Sequence, residues 1–313
     1  MEFNKKNILD IDSLSAEDIS FILDTSDSMK EINERPVKKV PTLRGKTIVL
    51  FFQEPSTRTK LSFDLAAKRL SADSVSLAAS SSSIKKGETL LDTARTIEAM
   101  NPDILVMRHS MSGAPHFLSK FLKCSIINGG DGRHAHPSQA LLDMMTIREK
   151  KKRLSGLNVS IIGDISNSRV ARSNMRGLVK TGNKVKIFGP NSMIPPEVEK
   201  EFGVKRALSM EEAVTDADVI MMLRIQKERQ GGNLFSTERE YSLSYGLNSK
   251  ILEKARKDVI VMHPGPVNRG VELTPELADS SISVINEQVK NGVALRMALF
   301  YLVSGGAKNV DSD

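Results

Sequence analysis

The sequence has little cysteine and no long apolar run, and each shortage excludes a class of protein. Cys124 is the single cysteine among 313 residues, which excludes an intrachain disulfide and a zinc or iron–sulfur site built from several thiolates. It lies in an apolar stretch, which predicts a buried strand residue, with a reactive thiol as the alternative. No apolar stretch approaches the ~20 residues that cross a bilayer. We therefore expect a soluble globular protein.

The N-terminal residues lack the features of an export signal. Met1 to Asn7 contain no apolar core and no small-residue cleavage site, both of which secretory signals need. The expected location is the cytoplasm.

Aromatic residues that would stack on bases are scarce, although the formal net charge is +7. The sequence has no Trp and three Tyr, and it carries no nucleic-acid motif. Basic residues are interspersed with acidic ones, and the densest basic run, residues 148 to 153, ends a helical pattern, where cations interact favourably with the helix dipole. Small anionic substrates therefore explain the excess of arginine better than a polynucleotide does.

Strand-like and helix-like segments alternate along the chain, which predicts mostly parallel sheets flanked by helices. The first series comprises helix 13 to 32 with Ser13 and Ser15 as candidate N-caps, strand 47 to 52, helix 58 to 70, strand 74 to 79, helix 89 to 100, strand 103 to 107, helix 115 to 121, strand 124 to 128 and helix 137 to 150. The second comprises strand 157 to 163, helix 169 to 181, strand 184 to 188, helix 195 to 202, strand 204 to 206, helix 210 to 215 and strands 218 to 223 and 258 to 262.

This pattern predicts an α/β fold of two domains, in agreement with a prior of about 150 residues per domain. We assign residues 1 to 145 to the first domain and residues 146 to 285 to the second. The amphipathic stretch from about 286 to 305 is expected to form a helix that returns to the first domain. Ligands in open α/β sheets bind at the carboxyl ends of strands, so polar residues that follow strands are the candidates for a site.

The first such candidate is Ser56-Thr57-Arg58-Thr59, which follows the apolar run 47 to 52 and precedes a helical pattern. Free backbone N–H groups at a helix start, several hydroxyls and one guanidinium suit an anion. The segment predicts a phosphate site.

Arginines recur at the ends of further strands. Arg108, Arg169 and Arg224 each follow an apolar run, and Gln226 stands two residues after Arg224. A single surface arginine is usually a solvated charge, but a series at strand ends suggests a common role. Guanidinium groups bind carboxylates and phosphates through two parallel hydrogen bonds, so the expected ligands carry several negative charges.

Two further segments are ambiguous when each is taken alone. His136 precedes Pro137 at a predicted helix start, where the dipole opposes protonation and favours a neutral imidazole that polarises a carbonyl; a purely structural histidine is the alternative. Residues 78 to 88 are rich in serine and have the composition of a flexible loop. Lys85, Lys86 and Gly87, directly before a helix, favour a binding role for that loop.

Taken in order, these motifs resemble those of the aspartate/ornithine carbamoyltransferase family. The residues that carry the resemblance to its carbamoyl-phosphate signature are Phe52 to Thr59, Lys85 to Thr89 and His136 to Gln139. Arg224 to Glu228 and His263 to Gly270 resemble the aspartate-specific branch. The resemblance spans essentially the whole chain, and it implies transfer of a carbamoyl group to aspartate in pyrimidine biosynthesis, with the first domain binding carbamoyl phosphate and the second binding aspartate.

The resemblance also implies a role for individual residues. The phosphate would be bound by Ser56, Thr57, Arg58 and Thr59. Arg108 would bridge the phosphate and the carbonyl oxygen. The carbamoyl group would be bound by His136, Gln139 and the backbone of Pro264 and Gly265. The carboxylates of aspartate would be bound by Arg169, Arg224 and Gln226. Ser82 and Lys86 would reach the site from the neighbouring subunit of a homotrimer, and Lys86 would also contact aspartate. Catalytic roles would fall to Arg58, Thr59, Lys86, Arg108 and His136.

No metal, cofactor or covalent nucleophile is expected, because carbamoyl phosphate already carries a good leaving group and the protein has to place the amine against its carbonyl carbon. Phosphate itself is the expected acceptor of the amine proton.

Gly265-Pro266 is a candidate cis peptide, and residues 229 to 245, with Arg229, Arg239 and Tyr241, resemble a mobile loop that closes over aspartate. A regulatory chain is possible.

Two alternatives stay open. Transfer to ornithine is disfavoured because Pro264 stands where the ornithine branch carries cysteine, and because Ser110-Met111-Ser112-Gly113 lies in the wrong half for its Ser-Met-Gly loop. A non-catalytic dinucleotide-binding protein would need a Gly-x-Gly-x-x-Gly turn, which Gly163-Asp164-Ile165-Ser166 does not supply.

Overall fold

The chain divides into two compact units, each with its own parallel sheet. A computed structural model describes residues 3–78, 87–226 and 237–305. The first unit comprises Met1–Leu142 and Lys290–Asp313, and the second comprises Asp143–Val289. Within the described residues, none of the helices combines the length and apolarity that crossing a bilayer requires.

The first unit contains a four-stranded sheet in the order β2-β1-β3-β4, in which every neighbouring pair is parallel. Its elements in chain order are α1 (Ala16–Glu34), β1 (Thr47–Phe52), α2 (Thr57–Arg69), β2 (Asp73–Ala78), α3 (Leu90–Ala99), β3 (Ile104–His109), α4 (Ala114–Ser119), β4 (Ser125–Asp131) and the start of α5 (Pro137–Lys151). These bounds lie within about two residues of the predicted ones at most ends.

Local sequence explains where the elements of the first unit begin and what they bury. Of the two candidate caps for α1, Ser15 is the N-cap, and it forms a reciprocal capping box with Asp18. β1 is buried along nearly its whole length. Its β-branched and aromatic residues suit an inner strand of a parallel sheet, which is covered on both faces. Phe51, Leu105 and Ile126 from three different strands pack in one core cluster. Each such side chain contributes about 1.5–3 kcal/mol by leaving water.

The C-terminal helix packs on the first unit, as predicted. Helix α12 (Ile285–Val303) belongs to that unit from Lys290 onward. Arg296 Nη1 donates to Ser62 Oγ at 3.0 Å, and the rings of Phe300 and Phe63 lie 5.6 Å apart between centroids. These contacts attach the helix to α2 and confirm the predicted fold class.

The second unit contains a five-stranded parallel sheet in the order β7-β6-β5-β8-β9. Its elements in chain order are β5 (Asn158–Ile162), α6 (Arg169–Lys180), β6 (Lys184–Phe188), α7 (Val198–Phe202), β7 (Lys205–Arg206), α8 (Met210–Val214), β8 (Val219–Met222), α9 (Glu238–Tyr245), α10 (Ser249–Leu252), β9 (Ile260–Met262) and α11 (Pro275–Ala278).

Two segments of the second unit differ from their prediction. The helix predicted from residue 195 begins at Val198, because Pro195 and Pro196 precede it and a residue before proline avoids helical dihedrals. Residues 238–245, assigned above to a loop, form α9, and Tyr241 is fully buried within it. Burial raises the pKa of Tyr241 far above its usual range, so this phenol is a neutral core group. The rest of the predicted loop, 227–236 with Arg229, lies outside the described residues.

The single cysteine is buried, as predicted, one residue before β4 begins. Burial raises the pKa of the Cys124 thiol to about 11. The residue is therefore a small core side chain, and its thiol is protonated at neutral pH.

Candidate active site

The predicted phosphate and carbamoyl residues of the first unit lie on one edge of its sheet. β1, β3 and β4 are adjacent and parallel, so their carboxyl ends share that edge. Ser56 to Thr59 follow β1, Arg108 is the second-last residue of β3, and His136 follows β4 after a short turn. Phe52 at the end of β1 pairs in register with Arg108. The topology thus brings together residues that are up to 80 positions apart in sequence.

Ser56 to Thr59 form the start of helix α2. Ser56 is the N-cap, with extended dihedrals, and its side chain makes no capping hydrogen bond. The backbone N–H groups of the next three residues belong to the first helical turn, where intrahelical acceptors are missing. Thr59 is buried, whereas Arg58 and Thr57 are exposed. The arrangement matches a phosphate site: N–H groups and hydroxyls at the positive end of the helix dipole, beside an exposed guanidinium.

Arg108 is held from two sides. Its Nη2 donates to Glu54 Oε1 at 2.7 Å, and its Nη1 donates to the carbonyl oxygen of Gly129 at 3.2 Å. Its side chain is 11% exposed and that of Glu54 is 19% exposed. A half-buried ion pair of this kind fixes the plane of a guanidinium better than a solvated pair does. Arg108 is therefore oriented before any ligand binds.

His136 occupies the position directly before α5, as predicted. The residue is buried, and its carbonyl oxygen accepts from the N–H of Gln139 at 3.0 Å and from that of Ala140 at 3.2 Å. Ser138 Oγ lies 3.5 Å from His136 Nδ1. The imidazole thus stands at the positive end of a helix, and Gln139 is half-buried one turn away.

The predicted aspartate residues, and the Pro264-Gly265 backbone predicted to bind the carbamoyl group, lie on the corresponding edge of the second sheet. Arg169 opens α6 after β5, Arg224 and Gln226 follow β8, and Pro264-Gly265 follow β9. These three strands are also adjacent and parallel. Arg169 is buried, and the other residues are half-buried. The predicted cis peptide between Gly265 and Pro266 is present.

A glycine makes the close approach at the end of β5 possible. Gly163 has φ of +129°, and a Cβ at this position would lie 3.1 Å from the carbonyl oxygen of Leu223 and 3.1 Å from the hydroxyl of Tyr241. Any larger residue would push β8 or α9 away from β5, and with them the segment that carries Arg224.

Glu272 connects the segments after β8 and β9, a role that sequence reasoning did not assign. Its Oε1 accepts from the N–H of Ile225 at 3.0 Å and from Asn268 Nδ2 at 2.6 Å, and its Oε2 accepts from the N–H of Asn268 at 2.8 Å. Ile225 stands between Arg224 and Gln226. Burial raises the pKa of Glu272, although these hydrogen bonds act in the opposite direction. The carboxyl group therefore fixes the backbone that carries two predicted aspartate ligands.

His263 is fixed by a second chain of buried hydrogen bonds. The N–H of Gly265 donates to His263 Nδ1 at 2.9 Å, so the proton of the neutral ring belongs on Nε2, which lies 3.9 Å from Glu272 Oε2. The N–H of His263 donates to Gln288 Oε1 at 3.0 Å, and Gln288 Nε2 donates to Asp143 Oδ1 at 2.8 Å. Buried polar groups in such a network set a single geometry, in this case for the turn at Pro264-Gly265.

Ser82 and Lys86 lie outside the described residues. The sequence analysis assigned no role to Glu54 or His263, although each lies inside a motif that carries the family resemblance. Glu272 was missed because it lies two residues beyond the last motif and has no distinctive neighbours.

Two family models match the chain. One, described as the aspartate/ornithine carbamoyltransferase carbamoyl-P binding domain, matches residues 6–149. The other, described as the aspartate/ornithine carbamoyltransferase Asp/Orn binding domain, matches residues 155–303.

Individual proteins are similar over nearly their full length. The aspartate carbamoyltransferase catalytic subunit of Desulforapulum autotrophicum is 64% identical over 312 residues, covering 100% of both chains. Ornithine carbamoyltransferase from Pyrococcus furiosus has a TM-score of 0.87 at 30% identity, covering 98% of this chain and 99% of its own. Aspartate transcarbamoylase from Trypanosoma cruzi, solved with carbamoyl phosphate and aspartate, has a TM-score of 0.87 at 28% identity, covering 96% and 97%.

Proposed function

Because the chain belongs to the aspartate/ornithine carbamoyltransferase family, we propose that it transfers the carbamoyl group of carbamoyl phosphate to the amino group of L-aspartate. The products are N-carbamoyl-L-aspartate and phosphate, in pyrimidine biosynthesis in the cytoplasm. The observation that carries the aspartate assignment is the 64% identity, over the whole chain, to an aspartate carbamoyltransferase catalytic subunit. The absence of cysteine at Pro264 supports the same branch.

Carbamoyl phosphate is the ligand of the first unit. The phosphate binds the first turn of α2 through Ser56, Thr57, Arg58 and Thr59, since that turn offers N–H groups, hydroxyls and a cation together. Arg108 contacts both the phosphate and the carbonyl oxygen, and His136 and Gln139 bind the carbamoyl group. The orientation of Arg108 by Glu54 supports this assignment, because a preformed donor loses little freedom when the substrate binds.

Aspartate is the ligand of the second unit. Arg169, Arg224 and Gln226 bind its two carboxylates, and the backbone at Pro264 and Gly265 accepts from the carbamoyl nitrogen. The anchoring of Ile225 and Asn268 by Glu272 supports these roles, because it fixes the segments on which these groups stand.

The reaction is a direct displacement at the carbonyl carbon. The amine nitrogen of aspartate forms a bond to that carbon, negative charge collects on the carbonyl oxygen, and the bond from carbon to the phosphate oxygen then breaks. Arg108, Thr59 and His136 stabilise the oxyanion, and Arg58 and Lys86 stabilise the departing phosphate. The amine proton passes to phosphate. No intermediate is covalently attached to the protein.

The acceptor is tested by assaying ureido product from carbamoyl phosphate with aspartate or ornithine. Product with aspartate alone is expected, and product with ornithine alone would reject the proposal. Arg224→Ala should raise the KM for aspartate while leaving the KM for carbamoyl phosphate nearly unchanged. Arg176→Ala serves as the matched control, because Arg176 pairs with Glu201 on the surface.

We also propose that the chain works as a homotrimer in which Ser82 and Lys86 complete the site of a neighbouring copy. Arg58→Ala and Lys86→Ala chains should each be nearly inactive. After the two chains are mixed in equal amounts and reassembled, about a quarter of wild-type activity should return. About one site in four then takes Arg58 from a Lys86→Ala chain and Lys86 from an Arg58→Ala chain, and such a site contains neither substitution. Proven subunit exchange without recovery would show that each site belongs to one chain. A regulatory chain would add to such trimers.

A further inference from the structure

The first unit contains a cluster of two histidines and one aspartate, none of which is assigned to the reaction. His116 is in α4, Asp131 ends β4, and His134 lies in the turn before α5. Each residue offers one ligand atom to an ion, and the three atoms lie within 4.8 Å of one another. We call these three residues the His116 cluster. Its members come from separate elements, so their convergence is a product of the fold.

His116 has the hydrogen bonding of a metal-binding histidine. Its Nε2 lies 2.6 Å from Asp10 Oδ2, and its Nδ1 is buried with no hydrogen-bond partner within residues 3–78, 87–226 and 237–305. Metal-binding histidines commonly donate one ring N–H to a carboxylate, which leaves the lone pair of the other nitrogen for the ion. The side chain of Asp10 is in this way the positioning partner of His116.

Asp131 is a fixed carboxylate beside that ring. Its side chain is fully buried and accepts from the N–H of Gly113 at 2.6 Å, from Asn128 Nδ2 at 2.8 Å and from the N–H of Ala135 at 3.1 Å. His134 Nδ1 lies 3.0 Å from its Oδ2. These hydrogen bonds hold the carboxylate in place.

The cluster is open to solvent on one side. The side chains of His116 and His134 are 34% and 38% exposed, and their rings meet edge to face with centroids 5.3 Å apart. An ion can therefore approach the two rings from solution, and rotation of the rings has to uncover His116 Nδ1, which is itself buried. Bonds of about 2.0–2.2 Å from zinc to nitrogen and oxygen need the three ligand atoms to approach one another further, which rotation of two partly exposed rings permits.

We propose that His116, Asp131 and His134 bind one divalent transition-metal ion of the zinc or cobalt type, with Asp10 positioning His116. Two imidazoles and one carboxylate suit these borderline ions, whereas magnesium and calcium prefer ligands that are all oxygen. Water fills the remaining position. The bound ion joins α4, the end of β4 and the turn that precedes His136, so it stabilises the folded first unit by mass action. It takes no part in carbamoyl transfer.

The proposal is tested by metal binding to the full chain after treatment with a chelator, in buffer free of phosphate. Calorimetry should show one Zn²⁺ or Co²⁺ per chain, and bound Co²⁺ should give the visible absorption of a low-symmetry site without a thiolate band. His116→Ala and His134→Ala should each weaken Zn²⁺ binding at least about tenfold, and Asp10→Asn should weaken it about 10- to 100-fold. Cys124→Ser is the matched control and should bind like the wild type.

Melting provides an independent readout. Zn²⁺ should raise the melting temperature of the wild type and of Cys124→Ser, but not that of His116→Ala. No stoichiometric uptake by the wild type, equal affinity for Mg²⁺, or unchanged affinity in both histidine variants would overturn the proposal. If His116→Ala does not fold, as judged by circular dichroism, His116→Gln replaces it, and the Co²⁺ spectrum of the wild type decides the question. Neither readout depends on the proposed carbamoyl transfer.

Discussion

Glu54 Oε1 lies 2.7 Å from Arg108 Nη2, and the two residues are 54 positions apart in sequence. Glu54 follows β1 and Arg108 is in β3, so the parallel pairing of these strands creates the contact. The pair orients a guanidinium that we assign to the reacting groups. The pair also places the Glu54 carboxylate where an anionic substrate is proposed to bind. Substitutions of Glu54 and of Arg108 are therefore expected to change the rate by different amounts.

Arg108→Ala should lower kcat by ~10²–10³, the usual cost of removing one oxyanion donor. Glu54→Gln should lower kcat about tenfold, since it removes one charge-assisted hydrogen bond and leaves Arg108 in place. Steady-state kinetics with both substrates measure these effects. The control is Glu201→Gln, which alters a surface pair with Arg176. A Glu54→Gln enzyme as fast as the wild type would mean that Glu54 competes with the substrate for Arg108.

Glu272→Gln should raise the KM for aspartate about tenfold with a smaller effect on the KM for carbamoyl phosphate. The amide cannot accept from all three donors that Glu272 now satisfies, and an unsatisfied buried donor costs about 1–3 kcal/mol. The control is Glu211→Gln, which breaks an exposed pair with Lys254. Equal changes in both KM values would indicate general loss of structure and contradict a positioning role.

Asp10 should stabilise the fold at pH values above the ordinary pKa of aspartate, which is about 3.9 in an unfolded chain. Hydrogen bonds from His116 and Ser13 outweigh burial and hold its folded pKa below that value, so its contribution is present at neutral pH and is lost as pH falls through the folded pKa. Urea unfolding with a chelator present should show a deficit for Asp10→Asn at pH 7 that shrinks at pH 3. Asp73→Asn changes an exposed aspartate of the same unit and should show a much smaller deficit at pH 7. A deficit for Asp10→Asn that is constant with pH would contradict this account.

Ile220→Ala should lower the free energy of unfolding of the second unit by about 2–5 kcal/mol. Ile220 is fully buried in the core that joins β8 to its neighbours. Leu208→Ala removes the same number of carbon atoms from a side chain that is 87% exposed, and its effect should stay within about 0.5 kcal/mol. Denaturant titration compares the two, and similar losses would show that burial does not set the cost.

The sequence predicts the kind and order of most elements because apolar periodicity is a local property. It also locates Arg108 and His136 at the carboxyl edge of the first sheet, since any residue that ends or follows a parallel strand lies there. The strand order is not local: β1 lies between β2 and β3, and no spacing in the sequence specifies this. For the same reason the contacts of Glu54 with Arg108 and of Glu272 with Ile225 could not be predicted. Residues 238–245 were misassigned because their short helix depends on the burial of Tyr241.

The burial of Cys124 makes the chain a convenient background for labelling. With a pKa of about 11, less than about one in a thousand of its thiols is ionised at pH 7.5, and only the thiolate reacts with maleimides. A cysteine introduced at an exposed site such as Leu208 would therefore carry a fluorophore or spin label almost exclusively, without removal of the natural thiol. Binding of each substrate could then be followed directly, one chosen position at a time.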